Sequence, residues 1–106
     1  MRFLTQRGLG IVSRNFRRRL GELDVVARDR DVLVIVEVRT RMNQNFGGAA
    51  ASVGPRKQRR IVRAAAQLLQ QRRDLARLRA RFDVIVVHEP LGAEPRIEWI
   101  QQAFNA

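Results

Sequence analysis

The chain has 106 residues, 45% of them hydrophobic, which suits one domain (1–106) with one core and excludes general disorder. It has no cysteine and a single histidine, His88, so disulfides, thiolate metal sites and multi-histidine centres within one chain are excluded. Its 21 Lys and Arg against 10 Asp and Glu give a net charge of +11 and favour a polyanionic partner, nucleic acid foremost.

In chain order, residues 2–7 have the look of a helix end, with Gly8 suited to the C-cap. "GIVSRNFRR" (10–18) reads as a strand. "GELDVVAR" (21–28) reads as a second, with Leu23, Val25 and Ala27 on one face and Glu22, Asp24, Val26 and Arg28 on the other. After the turn "DRD" (29–31), "VLVIVEVRT" (32–40) is apolar on both faces, which predicts a central strand covered on both sides. "MNQNFGGAAASVG" (42–54) reads as a loop whose small residues suit a substrate-covering segment or a plain connector. Pro55 opens a helix to about residue 71, with Ile61, Ala65, Leu68 and Leu69 on its apolar face. "DLARL" (74–78) suits a short helical turn, "RFDVIVVHE" (81–89) a fourth strand and "RIEWI" (96–100) a fifth. The order (α)βββαβ(β) predicts an α/β domain: a mixed sheet of four to five strands flanked by helices. No apolar run approaches the ~18 residues of a membrane span, and "MRFLTQRGLG" lacks the apolar stretch of a signal peptide, so a cytoplasmic protein without membrane contact is expected.

Glu37 interrupts an apolar run, and its surroundings decide what its charge is for. A tight hairpin with Arg30 and Asp31 at its tip makes every cross-strand pair sum to 61, placing Asp24 opposite Glu37 and Glu22 opposite Arg39. The two Cβ atoms would then lie ~4.5–5.5 Å apart. Unit charges ~5 Å apart at an effective dielectric of ~20 repel by about 3 kcal/mol. Something positive is therefore expected there. One candidate is an arginine, Arg39 or Arg28, in a structural cluster with Glu22. The other is a divalent metal held by Asp24, Glu37 and the Val38 carbonyl, since Mg²⁺ takes oxygen ligands and one or two carboxylates suffice.

"GELD" followed thirteen residues after its aspartate by "EVR" resembles the D…(E)xK constellation of the restriction-endonuclease-like PD-(D/E)xK nucleases. "RNFRRRLGELDVVARDRDVLVIVEVRTR", "FGGAAASVGPRKQRR", "RFDVIVV" and the terminal "AF" resemble the YraN-like family of small bacterial proteins, over about residues 7–104. The resemblance implies a restriction-endonuclease-like core and Mg²⁺ or Mn²⁺ held by Asp24 and Glu37, with Glu22 beside them, for phosphodiester cleavage. The family's usual lysine position is Arg39 here. Arginine stays charged and cannot act as a general base, but it can hold phosphate or water. The family usually begins with a longer helix, so the N-terminal helix is expected to be short or truncated.

"GPRKQRR" (54–60) puts four cations in the first turns of a helix, where the helix dipole disfavours them and backbone N–H groups favour phosphate. Arg56, Lys57, Arg59, Arg60 and Arg63 are candidate phosphate contacts, and Gln58 a candidate for substrate or water. Their alternative is a solvated face. Lys57 is also placed to replace the cation missing from position 39, reaching the acidic pair from the helix. Asp83 is expected to pair with an arginine, His88 to be a surface or packing residue, and Trp99 and Phe104 to be core or cap, with Trp99 stacking on a base if exposed.

Three functions compete: a Mg²⁺-dependent endonuclease acting on DNA or branched DNA, a catalytically inactive nucleic-acid-binding module of the same fold, and a basic adaptor for an acidic protein partner. A homodimer is expected by analogy with related nuclease folds.

Overall fold

The computed structural model describes residues 2–19, 21–41, 53–89, 92, 94 and 96–106. The loop expected over 42–54 lies outside them up to residue 52. The elements run α1 (Arg2–Gln6), β1 (Gly10–Arg18), β2 (Gly21–Asp29), β3 (Val32–Arg41), α2 (Pro55–Gln71), a 3-10 turn (Arg73–Leu75), β4 (Arg79–His88) and β5 (Arg96–Phe104). The five strands form one mixed sheet in the order β1-β2-β3-β4-β5. Only β3 and β4 are parallel, with α2 in the connection between them; every other pair is antiparallel. This α/β architecture is compatible with a nuclease-like core.

The expected central strand is central. Leu33 and Ile35 of β3 join a core under α2 with Ile61, Ala64, Ala65 and Leu68. Val34 and Val36 join a second core on the other face, with Leu4 of α1 and Leu9. Strict alternation in a strand puts successive side chains on opposite faces, so a strand apolar at every position needs a cover on each side.

Helix α1 ends where Gly8 takes a left-handed φ of 88°. Leu9 N–H donates to Leu4 O at 3.1 Å and Gly8 N–H to Thr5 O at 3.1 Å. This is the Schellman pattern, and Leu4 and Leu9, both buried, supply its usual apolar contact. Phe3 meets Trp99 edge-on, ring centroids 6.1 Å apart, tying α1 to β5.

Two strands run two or more residues past their expected bounds. β4 begins at Arg79 because the parallel ladder pairs it with the start of β3, Val32↔Arg79, where the arginines hide the apolar signal. β5 continues to Phe104 because Phe104 pairs with Phe82 and stacks on its ring at 5.1 Å. The turn expected over 74–78 is the 3-10 segment Arg73–Leu75, with Leu75 buried.

The face assignment of β2 needs correction. Val25 and Ala27 share the α1 face, but Leu23 lies with Val26 in the core under α2. Alternation therefore slips by one residue between Leu23 and Val26. Opposite this point in β1, Asn15 adopts a left-handed φ of 52°, between the pairs Arg14↔Val25 and Phe16↔Leu23. Such local irregularities bend a strand and re-aim the side chain at the break; here that side chain is Asp24.

Candidate active site

The β2–β3 hairpin turns at Arg30 and Asp31, Arg30 in the left-handed region at φ 57°, which a two-residue turn of this hand requires. Its pairs run from Asp29↔Val32 to Val25↔Val36, each summing to 61. Past that point the ladder gives way to a side chain. The Val38 N–H donates to Asp24 Oδ2 at 2.9 Å. The Asp24 carboxyl thus sits at the mouth between the two strands, and Glu37 hydrogen-bonds to it through its own carboxyl.

Glu37 is only 9% exposed. Burial, then the hydrogen bond and negative charge of Asp24, push its carboxyl up to about 7, against the opposing pull of Lys57. Lys57 Nζ lies 3.2 Å from Glu37 Oε1, with its side chain 52% exposed. The cation facing the acidic pair therefore comes from the first helical turn of α2, and not from Arg39 or Arg28. Arg28 Nε donates instead to Arg30 O at 2.7 Å, within the hairpin. Arg39 is half-buried, and its Nε has no hydrogen-bond partner among the described residues.

Glu22 does not join the acidic pair in the expected Arg39 cluster. Its register places it opposite Arg17, and the two form an exposed ion pair at 3.2 Å. The basic residues of α2 divide between two surfaces. Arg56, Lys57 and Arg60 line a groove of about 860 Å³ with Arg17 and Arg18 at the end of β1 and Arg19 just past it. Arg59 and Arg63 line a separate hollow beside Asn105 and Ala106. Gln58 turns inward, its Nε2 donating to Val53 O at 2.7 Å, and so steadies the entry to α2. A further hollow of about 430 Å³ exposes Asp24 and Val38 beside Arg14 and Asn15.

The sequence reading missed Arg14, Asn15 and the Arg17–Arg19 run as neighbours of the site. The triple arginine was visible as a charge cluster, but only the fold shows that it faces α2. The approach depends on Gly21: a Cβ there would stand 2.6 Å from the Arg60 carbonyl oxygen. No other residue lets the start of β2 pass that close to the helix backbone.

Three other polar groups have structural partners. Asp83 is buried and accepts from Arg81 Nε and Nη2, each at 3.0 Å, from Trp99 Nε1 at 2.8 Å and from Gln102 N at 2.9 Å. The expected arginine pairing of Asp83 is thus present, and the Trp99 indole N–H is committed to it. His88 is buried against Glu98, Nε2 to Oε1 at 3.0 Å.

Among the described residues no group of three or more His, Cys, Asp or Glu side chains is gathered for a metal. Two carboxylates are gathered, and they lack charge compensation beyond a half-exposed lysine. That donor set fits a hard divalent ion that keeps several waters, and does not fit a closed all-protein cage. No helix among the described residues is long and apolar enough to cross a membrane.

Residues 1–87 match the model of the uncharacterised protein family UPF0102. A UPF0102 protein of Ralstonia pickettii is 50% identical over 110 residues, covering 99% of this chain and 82% of the relative. One of Alkalilimnicola ehrlichii is 47% identical over 103 residues, covering 97% and 78%. One of Pseudomonas paraeruginosa is 42% identical over 104 residues, covering 97% and 83%. The YraN-like resemblance agrees with these matches, and the chain belongs to the uncharacterised protein family UPF0102.

Proposed function

We propose that the chain is a metal-dependent, nuclease-like protein of the cytoplasm that binds nucleic acid, DNA foremost, and cleaves phosphodiester bonds at the Asp24–Glu37 pair. The observation that supports this most is the meeting of two carboxyls with Lys57, which also lines a basic groove. Asp24, Glu37 and the Val38 carbonyl would hold Mg²⁺ or Mn²⁺, which when bound supplies an activated water and charge stabilisation on the phosphate. Lys57 carries three rotatable donors next to Glu37 and can orient water or a phosphate oxygen there. Arg39, which stays charged, can hold phosphate by hydrogen bonds but cannot take a proton. Arg56 and Arg60, exposed on the side of α2 that carries Lys57, provide contacts to the sugar–phosphate backbone.

The test is cleavage of labelled linear and branched DNA with Mg²⁺ or Mn²⁺. Asp24→Asn and Glu37→Gln should each abolish it, and a parent-like rate in both ends the assignment to this site. Lys57→Ala and Lys57→Arg should both lose activity if Lys57 supplies a positioned ammonium; unchanged cleavage in both removes that role. The second reading, binding without cleavage, is favoured by Arg39 standing where the resemblance expects lysine. Metal-dependent cleavage by the parent excludes it. Nucleic-acid binding with ~4–6 phosphates neutralised gives log K against log salt a slope of about −4 to −5, whereas a flat slope points to the adaptor.

A further inference from the structure

The basic residues of α2 look equivalent in sequence, but they open onto different surfaces. We infer that the groove between the Arg17–Arg19 end of β1 and α2 is the track for one phosphate backbone of duplex nucleic acid, and that the Arg59–Arg63 side of the helix takes no part. This rests on the reading of the chain as a nucleic-acid-binding protein and assigns where on it the duplex lies.

Six cations line the groove: Arg17, Arg18 and Arg19 on one wall, Arg56, Lys57 and Arg60 on the other. Three have local partners. Arg17 is paired with Glu22 at 3.2 Å, and Lys57 with Glu37 at 3.2 Å. Arg18 donates to Gln71 Oε1 at 2.7 Å and covers the Phe16 ring at 4.1 Å. Arg19, Arg56 and Arg60 are exposed and make no ion pair or side-chain hydrogen bond with the described residues. Three uncommitted guanidiniums around one concave surface, with a single carboxylate, Glu22, lining it, form a site that an anion would fill. Guanidinium forks match phosphate oxygens in pairs.

The lining of the groove speaks against a splayed single strand. Single-strand channels combine positive charge with aromatic faces on which bases stack. No aromatic side chain lines this groove among the described residues. A groove of charge without stacking faces reads phosphates and ignores base identity. Lys57 lines the same groove and also touches Glu37, so a backbone lying in the groove meets the lysine that is paired with the buried carboxyl. Arg59 and Arg63 line a different hollow and offer no such route.

A charge-matched pair of double variants tests this. Arg56→Gln/Arg60→Gln and Arg59→Gln/Arg63→Gln each remove two exposed arginines from the same helix, so their net charges are equal. Binding of a fluorescein-labelled mixed-sequence DNA duplex is followed by anisotropy against salt, with metal removed by chelator so that cleavage plays no part. The first double variant should lower the salt slope by about 2, and Arg19→Gln added to it by about 1 more. The second should leave the slope at the parent value. Glu22→Gln should tighten binding at fixed salt. Equal loss in the two double variants, or tighter binding of the single strand than of the duplex, overturns the assignment while leaving nucleic-acid binding intact. No salt-dependent binding by the parent overturns both.

Discussion

Replacing Glu37 by Gln should make the protein's stability less dependent on pH, and the direction follows from burial. In the unfolded chain Glu37 titrates at its ordinary 4.5; in the fold it is pushed up to about 7. Between these values the native state holds a proton that the unfolded chain has released. The slope of unfolding free energy with pH is then negative, about −1.4 kcal/mol per pH unit. Glu37 therefore adds no penalty below 4.5, and it costs progressively more as pH rises until its folded-state carboxyl has ionised. The interval from 4.5 to about 7 amounts to about 3 kcal/mol at full ionisation. Glutamine keeps the shape and can still hydrogen-bond to Asp24, but carries no charge at any pH. Urea unfolding of the metal-free parent and of Glu37→Gln, at steps from pH 4.5 to 8.5, isolates the effect as the difference between the two. The variant should gain about 3 kcal/mol on the parent across that range. A difference that stays flat, or that grows toward low pH, refutes the account of Glu37 as a buried carboxyl beside a like charge.

Four other outcomes are expected. Mg²⁺ at pH 8 should raise the parent's unfolding temperature, because a cation relieves the charge that Glu37 then carries, and should leave Glu37→Gln unmoved in the same thermal scan. Gly21→Ala should destabilise by about 1–3 kcal/mol in urea titration, because its Cβ would stand 2.6 Å from the Arg60 carbonyl oxygen. Asp83→Ala strips the acceptor from Arg81, Trp99 and the Gln102 N–H and should cost about 3–5 kcal/mol, with a red shift of Trp99 fluorescence if β5 loosens. Leu4→Ala should cost about 2–5 kcal/mol by the same titration, since Leu4 is fully buried against the second core.

Much of the fold was legible because β3 has an unusual composition. The unbroken apolar run from Val32 to Val36 predicts a strand covered on both faces, though not which element covers which side. The hairpin register was legible too, because a two-residue tip at Arg30 and Asp31 leaves no freedom in the pairing. The alternation of β2 was not legible. "GELDVV" reads as regular period two, and the slip at Asp24 depends on Asn15 in the neighbouring strand taking a left-handed φ of 52°. No local pattern within β2 carries that information. The full length of β4 was hidden for a related reason: Arg79 and Arg81 belong to the ladder through parallel pairing, and the apolar count begins only at Phe82.

The source of the positive charge at the acidic pair was legible only as one option beside Arg39 and Arg28, and its physical basis explains why. Along β3, Arg39 is the obvious partner for Glu37, since side chains two apart share a face. A helix packed across the sheet offers a shorter route, because its side chains descend onto the strand ends. Lys57 takes that route and reaches Glu37 at 3.2 Å. Whether it can do so depends on how closely α2 lies to β2, and that closeness is set by Gly21 under the Arg60 carbonyl, one helical turn from Lys57. Glycine at 21 and lysine at 57 are thus parts of one arrangement, though 36 positions separate them. A side chain added at 21 would lift the first turns of the helix and draw the ammonium away from the carboxyl. It would also widen the groove between Arg19 and Arg56. The charge balance of the pocket and the shape of the basic track therefore rest on the same close packing of strand against helix.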